Sequence, residues 1–552
     1  MTRTLSATRP ERAAPGIELP AISARSVSKD FVVPEEPYGR VRDHFVHPLR
    51  HSGSNEVLEA LRDVSFDIRP GEFFGIAGKN GSGKTTLLRC LSGIYPVDGG
   101  ELAAHGRLAP FIELGVGFSP EMSARDNVLV NAVLMGMTRR EARERLEDII
   151  AFAELEDFAG MKLKNCSAGM NLRLAFSVTV QVDADILLFD EVLAVGDSSF
   201  QRKCDERFER LRAEGRTIVL VTHDMSTITR RCDRAILLHH GRVIELGHPE
   251  AVASSYERIN REDSGAGALR GQAPARPRRE ARRRSTAPLR ARARRLAAVT
   301  GALALAEFRL RYLDSALSYL WAVMRPLAFF GVLWVVFTQI GSFDSGVEHY
   351  PIYLLTAIVL WTFFSESTHT AIGSLVRGAP LLRTLPLPRV AFPLAVTLTS
   401  LLDLCVTLIA VLAIMLASGI EPRVGWLEFP LLVALLTLLV AGLAMLLSVL
   451  YVRLRDVDHV WHVVRQTLFY LSPIIYVAAV YPAAVEKVAM ANPLAAIFTE
   501  ARHALIDPDA PTAAAAIGGS ARLLVPLGVV AATFGLGLWA FQRESARAAE
   551  RL

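Results

Sequence analysis

The sequence is poor in what a disulfide- or metal-built protein needs. Its five cysteines, Cys90, Cys166, Cys204, Cys232 and Cys405, are scattered over 552 residues. With no CxxC pair and no histidine at ligand spacing, reduced thiols and no structural zinc are expected. The opening residues MTRTLSATRPERAAPG lack an apolar run, so no secretory signal peptide is expected and the N-terminal half is placed in the cytoplasm. Acid is nearly missing from one stretch, where Arg276 to Arg295 hold ten Arg and one Glu. With Pro, Ala and no apolar period, this run reads as a flexible linker whose charge suits anionic headgroups. No nucleic-acid recognition motif accompanies it, so nucleic acid is not an expected partner.

Hydrophobicity is what the chain has in excess. A single core stops growing at roughly 250–300 residues, so at least two domains are expected. Hydrophobic residues make up 51% and the net charge is +5, with a mean hydropathy of +0.30 and a pI near 9.0. The first 260 residues read as an ordinary charged globular sequence, so the apolar excess lies beyond them. Four segments follow: a disordered start at 1–21, an ATPase domain at 22–260, the basic linker at 261–296, and a membrane domain at 297–552.

Within 22–260, apolar runs such as FFGIAG, DILLFD and TIVLVTH alternate with helical stretches. That pattern predicts an α/β domain with a mostly parallel sheet covered by helices. GKNGSGKTT, Gly78 to Thr86, fits G-x-x-x-x-G-K-[ST] between a strand and a helix. Gly78, Asn80, Gly81, Ser82 and Gly83 form a loop whose N–H groups can approach phosphates. Lys84 neutralises phosphate oxygens, the Thr85 hydroxyl faces Mg²⁺, and Thr86 follows on the helix. DILLFDE ends a strand in two acids: Asp190 beside the metal and Glu191 to polarise the attacking water. ATP and Mg²⁺ are the implied cofactors.

With those motifs in order, the first half resembles the ATPase domain of an ABC transporter. Ser167, Ala168, Gly169 and Met170 stand where the commonest signature has Ser-Gly-Gly-Gln. AVGD, ending at Asp197, resembles the loop after the catalytic acid, THD puts His223 at the switch histidine, and Phe31 sits where an aromatic stacks on adenine. The Gln that commonly contacts Mg²⁺ is missing, and Glu113 is the nearest polar substitute. In such ATPases the signature of one subunit closes over ATP held by the other. One phosphate loop and one signature per chain therefore imply a homodimer. SAGM-x-LRLAFSV, ELGVGF-x-PEM and DEVLAVGD-x-x-FQRKC resemble the subfamily that exports lipid-linked polysaccharides and teichoic acids, and an ABC-2-type membrane domain is its usual partner.

The second half predicts an all-α polytopic membrane domain. LALAEFRLRYLDSALSYLWAVMRP is too charged to span and reads as an interfacial helix. Six apolar stretches of about 20 residues follow, the first short unless 321–325 is included, near 327–340, 353–376, 395–416, 427–450, 459–480 and 523–541. Arg377, Arg383, Arg389, Arg453, Arg455, Arg543, Arg547 and Arg551 place their flanks and both termini in the cytoplasm. The connection at 481–520 is expected to form short helices in the outer leaflet. Phe329, Phe330, Trp334, Phe337, Trp361, Phe363, Phe364, Phe469, Tyr470 and Tyr476 suit either a glycan path or lipid-facing packing. Glu366, His369 and Asp403 are polar groups expected at a passage, a subunit interface or a span end. LVRGAPLLRTLPLPRVAF is the candidate coupling contact between ATPase and membrane parts.

The sequence thus predicts a plasma-membrane exporter of a lipid-linked glycan, driven by ATP. Two alternatives stay open: efflux of a small drug or lipid, and a membrane-anchored ATPase that transmits force or a signal.

Overall fold

The computed structural model describes residues 19–33, 56–112, 115–190, 197–265, 289–312, 324, 327–336 and 349–551. The first elements are β1 (Ile22–Val33), β2 (Glu56–Ile68), β3 (Phe73–Gly78), α1 (Lys84–Ser92), β4 (Gly99–Ala104) and β5 (Leu108–Phe111). Four helices follow: α2 (Ala124–Leu134), α3 (Arg139–Glu144), α4 (Leu146–Ala153) and α5 (Ala168–Gln181). The chain then alternates through β6 (Ile186–Asp190), α6 (Ser198–Ala213), β7 (Thr217–Thr222), α7 (Met225–Arg231), β8 (Arg234–His239), β9 (Arg242–Gly247) and α8 (Pro249–Gly265). Beyond it lie α9 (Leu289–Tyr312), α10 (Tyr350–Ile372), α11 (Ala379–Thr384) and α12 (Ala391–Ala417). The last labelled helices are α13 (Phe429–Arg453), α14 (Val457–Leu471), α15 (Pro493–Leu505) and α16 (Leu524–Arg551).

Contacts divide the chain into two compact units. The first takes the described residues of Met1–Phe31, Val57–Ile112 and Asp183–Arg284. Its larger sheet has the order β5-β6-β7-β3-β8-β9. The pairs from β5 to β8 are parallel, and β9 closes the edge antiparallel to β8. β3, β6 and β7 are buried at every position, which is why their sequences are continuous apolar runs: a parallel strand is covered on both faces. The mostly parallel sheet expected from the sequence is therefore present. A second sheet, β2-β1-β4, was not expected, and in it β1 pairs antiparallel with β4.

The second unit joins the described residues of Glu113–Val182 to those of Ser285–Leu552. Side-chain caps start three of its first four helices. Ser123 caps α2, Thr138 caps α3 in a reciprocal box with Glu141, and Ser167 caps α5, so each start uses one of the short oxygen-bearing residues that satisfy free N–H groups. Leu134 of α2 shares an apolar cluster with Val299 of α9, Leu382 of α11, Phe392 of α12 and Met445 of α13. A Cβ placed on Gly117 would lie 2.9 Å from the Leu381 side chain. Residues of the proline-rich 375–392 segment thus touch the helical part of the ATPase half.

Three helices among the described residues are long and apolar enough to cross a membrane: Ala391–Ala417, Val424–Arg453 and Ser520–Glu544. They contain the expected stretches 395–416, 427–450 and 523–541. The other three expected stretches fall on different material. Only 327–336 of the first is described, with Phe337 outside. α10 carries Glu366 and His369, whose polarity dilutes its apolar run. α14 stops at Leu471 because Ser472, which precedes Pro473, is extended, as a residue before proline prefers. Short helices Ala483–Ala489, Pro493–Leu505 and Ala513–Ile517 occupy the 481–520 connection. Most of the basic run lies outside the described residues, while 289–296, read from sequence as linker, are the first turns of α9.

Candidate nucleotide site

The larger sheet gathers the motif residues at one edge. β6, β7 and β3 are parallel neighbours, so their C-terminal ends bring Asp190, the Thr222–His223 turn and Gly78 to the same side of the first unit. Ligands of α/β sheets bind beyond such ends.

The phosphate loop is shaped by backbone that only glycine adopts freely. Gly78 and Gly83 have φ of 153° and 104°. A Cβ at Gly78 would sit 2.5 Å from Ser82 Oγ, and one at Gly83 would sit 2.7 Å from the Ala60 carbonyl. α1 starts from Gly83 with no side-chain cap, which leaves its first N–H groups for an anion. Asn80 and Gly81 are exposed at the loop tip, and Thr85 and Thr86 are half-buried on the first turn. The Lys84 ammonium is buried and donates to the carbonyls of Gly78 at 2.7 Å and Lys79 at 2.9 Å, so it folds back along the loop. Thr85 Oγ1 donates to Asp190 Oδ2 at 3.3 Å.

These residues fit ATP and Mg²⁺. Ser82 Oγ is buried with no hydrogen-bond partner among the described residues, an arrangement that costs stability unless a ligand or water pairs with it. The adjacent Thr85 hydroxyl and Asp190 carboxylate are the hard oxygen donors that Mg²⁺ takes alongside phosphate oxygens. Mg²⁺ held by them would neutralise charge on the nucleotide's phosphates. Glu191 and Glu113 lie outside the described residues.

His223 is exposed between β7 and α7. Its neighbours hold the turn: Asp224 N–H donates to Thr222 Oγ1 at 3.0 Å, and the Asp224 carboxylate accepts from Thr227, Ser226 and the Ser226 N–H. Those donors, the Thr227 hydroxyl foremost, hold the Asp224 carboxyl below its ordinary range. Asp197 caps α6, accepting from the Phe200 N–H at 3.0 Å and the Ser199 hydroxyl at 2.6 Å. Phe31 packs edge-on to Tyr95, with ring centroids 5.5 Å apart.

The signature belongs to the second unit. Ser167 Oγ accepts from the Met170 N–H at 3.2 Å. Ser167 and Ala168 are exposed, and Gly169 and Met170 half-buried, at the start of a 14-residue helix. Among the described residues, a Cβ on Gly169 would meet only Ser167 Oγ, at 3.8 Å. The cap and the exposed first turn coexist, so the structural role of Ser167 does not consume the anion-facing one.

Residues 61–194 match the ABC transporter family and residues 299–506 the ABC-2 type transporter family. The "ABC transporter protein AbcA" of Aeromonas salmonicida is 41% identical over 44% of this chain and 77% of its own length. The "O-antigen export system ATP-binding protein RfbB" of Klebsiella pneumoniae is 38% identical over 43% of this chain and 98% of its own. The "Teichoic acids export ATP-binding protein TagH" of Listeria monocytogenes serotype 4b (strain F2365) is 35% identical over 43% of this chain and 69% of its own. The chain belongs to the ABC transporter family. This ABC transporter carries its ATPase and its ABC-2 membrane domain on one polypeptide, a multi-pass membrane protein with the ATPase on the cytoplasmic side.

Sequence reasoning missed the surroundings of Phe31 in the ABC ATPase half. Lys29 is fully buried, pairs with Asp98 at 2.9 Å and lies 5.2 Å from the Phe31 ring centre. The signal was available: Lys29 and Phe31 are two apart on β1 and so share a face. In the membrane half, Asp403 accepts from Arg311 and Tyr312 of α9, both at 2.8 Å, so it faces the interfacial helix of its own chain. His369 pairs with Asp458 at 3.3 Å. Of the aromatics read as a glycan path, Phe329, Trp334 and Tyr470 are exposed while Trp361, Phe363 and Phe364 are buried in the helical core.

Proposed function

We propose that this ABC transporter uses ATP to export a lipid-linked polysaccharide or teichoic-acid-like polymer across the plasma membrane. The observation that carries the reading is the fusion of an ATPase half, similar to O-antigen and teichoic-acid export ATPases, to an ABC-2 membrane half. Two copies act together. Each supplies a phosphate loop with Lys84, Thr85 and Asp190, and each supplies a Ser167–Met170 signature that closes over the partner's ATP. Glu191 activates water and His223 stabilises the reacting γ-phosphate. Phe31 stacks on adenine, Asp197 orders the loop after the catalytic acid, and Glu113 takes the place of the usual Mg²⁺-contacting Gln. The membrane helices of each copy, Ala391–Ala417, Val424–Arg453 and Ser520–Glu544 among them, enclose the path, their cytoplasmic ends marked by the arginines that flank them, and the basic run ahead of α9 rests on anionic lipid.

Reconstitution tests this reading. ATPase activity of the full chain in liposomes is measured with and without a lipid-linked glycan, with Glu191→Gln as the blank. Stimulation by the glycan supports export, and stimulation by small amphiphiles alone replaces it with drug or lipid efflux. Normal hydrolysis by Glu191→Gln rejects the catalytic assignment.

A further inference from the structure

The signature of an ABC ATPase must answer to the membrane helices, and the second unit holds a continuous path that joins them. We infer that Asp126 is a positioning residue that ties the signature segment to the interfacial helix α9 through Arg309. The inference rests on the proposed coupling of ATP turnover to the membrane half, and assigns the residues that carry it.

The path starts on α9. The Arg309 guanidinium donates to Asp126 Oδ1, and the two side chains are 35% and 27% exposed, so the pair is partly shielded from water. The other Asp126 oxygen accepts from the Ser123 hydroxyl at 2.8 Å, while Ser123 Oγ accepts from the Asp126 N–H at 3.1 Å. Ser123 is the cap of α2. The arginine from the membrane half therefore grips a helix start, where three groups already fix one another.

From that cap a short ladder runs to the signature. The Ala124 N–H donates to the Met161 carbonyl at 3.0 Å, Leu163 N–H to Met122 at 3.0 Å, and Lys164 N–H to Pro120 at 2.9 Å, with Ser123 and Lys162 bridged antiparallel. Cys166 N–H donates to the Leu163 carbonyl at 3.1 Å, and Ser167, the cap of α5, follows one residue later. Backbone bonds, which stretch little, thus connect the Arg309 contact to the first turn of the signature helix.

The packing beside the pair makes the polar tie matter. Between α9 and the α2–α3 pair lies a cleft of about 60 Å³, lined by Leu129, Val133, Ala302 and Leu305 together with Asp126 and Arg309. Apolar contact there is incomplete, and such contact carries no direction. An ion pair with two fixed ends does, since its hydrogen bonds are lost on small displacement.

The test uses the full chain in lipid nanodiscs, with amide exchange at residues 161–164 and kcat and KM for ATP as readouts. Arg309→Gln leaves the Asp126–Ser123 cap intact. It is expected to speed exchange at Leu163 and Lys164 about fivefold and to lower kcat with KM for ATP unchanged, while Arg309→Lys restores both. Wild-type exchange and kcat in Arg309→Gln, with changes only in Asp126→Asn, would make Asp126 a helix cap and overturn the inference. A wild-type chain without ATPase activity would instead defeat the transport reading, and the exchange measurement would still decide whether the tie exists.

Discussion

Thr85 Oγ1 and Asp190 Oδ2 are 3.3 Å apart, which joins the helix after the phosphate loop to the end of β6. The loop fixes Thr85 through Gly83, whose carbonyl accepts from the Leu87 N–H at 2.8 Å. The four buried residues before it on β6, Ile186–Phe189, fix Asp190. Asp190→Asn keeps the shape and removes the charge. It is expected to cut ATP turnover by on the order of 100-fold and to raise the Mg²⁺ concentration for half-maximal rate. A Mg²⁺ titration of the hydrolysis rate checks this, and a wild-type curve would reject Asp190 as a metal ligand.

Lys29 and Phe31 separate stability from nucleotide affinity. Lys29 has no exposure and Asp98 is 18% exposed, so Lys29→Met strips a buried carboxylate of its cation and is expected to cost about 3 kcal/mol. The thermal midpoint of the ATPase half should fall accordingly. Phe31→Ala leaves that pair in place and removes the ring expected to stack on adenine. Nucleotide affinity should drop about tenfold with little change in melting, measured with a fluorescent ATP analogue.

These residues differ in how far the sequence announced them. Gly78, Lys84 and Asp190 were legible because phosphate chemistry allows few residue types at fixed spacing between a strand and a helix. The parallel strands were legible because full burial leaves an unbroken apolar run. Asp403 was read as a group at a passage, a subunit interface or a span end, while the partners it takes, Arg311 and Tyr312, lie about ninety positions earlier, and no local pattern links them. The three-stranded β2-β1-β4 sheet was hidden because β4 mixes half-buried and exposed positions without strong apolar content. Sequence spacing also cannot show that Asp126 meets Arg309, since α2 and α9 join only through the fold.

Gly442 and Gly537 mark the closest approach of two membrane helices. A Cβ on Gly442 of α13 would lie 2.7 Å from the Phe534 Cα of α16, and one on Gly537 would collide with the Gly442 carbonyl. Small residues let helix backbones meet where lipid offers no hydrophobic driving force. Gly442→Leu is therefore expected to push α13 and α16 apart, at about 1–3 kcal/mol, and to lower the yield of monodisperse protein in detergent. Leu431→Ala, at an exposed position of the same helix, serves as the control. Equal behaviour of Gly442→Leu and wild type in size-exclusion and thermal melts would show that the helices do not pack there.

Acid sensitivity should concentrate at the sheet edge opposite the nucleotide. Asp183 accepts from Arg107 at 2.6 Å and from Arg216 at 2.9 Å, just before β5, β6 and β7 begin. The hydrogen bond from Arg107 is the main reason its carboxyl sits below the ordinary range. The unfolded chain then binds a proton at higher pH than the folded one. The stabilisation is complete above the unfolded value of about 3.9 and is lost as pH falls through the lower folded value. Asp183→Asn should flatten that acid limb and leave the ATP rate at pH 7 unchanged, because Asp183 sits at the far ends of these strands from Asp190. Arg107 is 64% exposed and Asp183 43%, so water and salt screen the pair, and 0.5 M salt (~4 Å Debye length) should shrink the difference between variant and wild type. Thermal midpoints between roughly pH 6 and 3, at low and high salt, decide it: parallel curves for the two proteins would remove Asp183 from the acid transition.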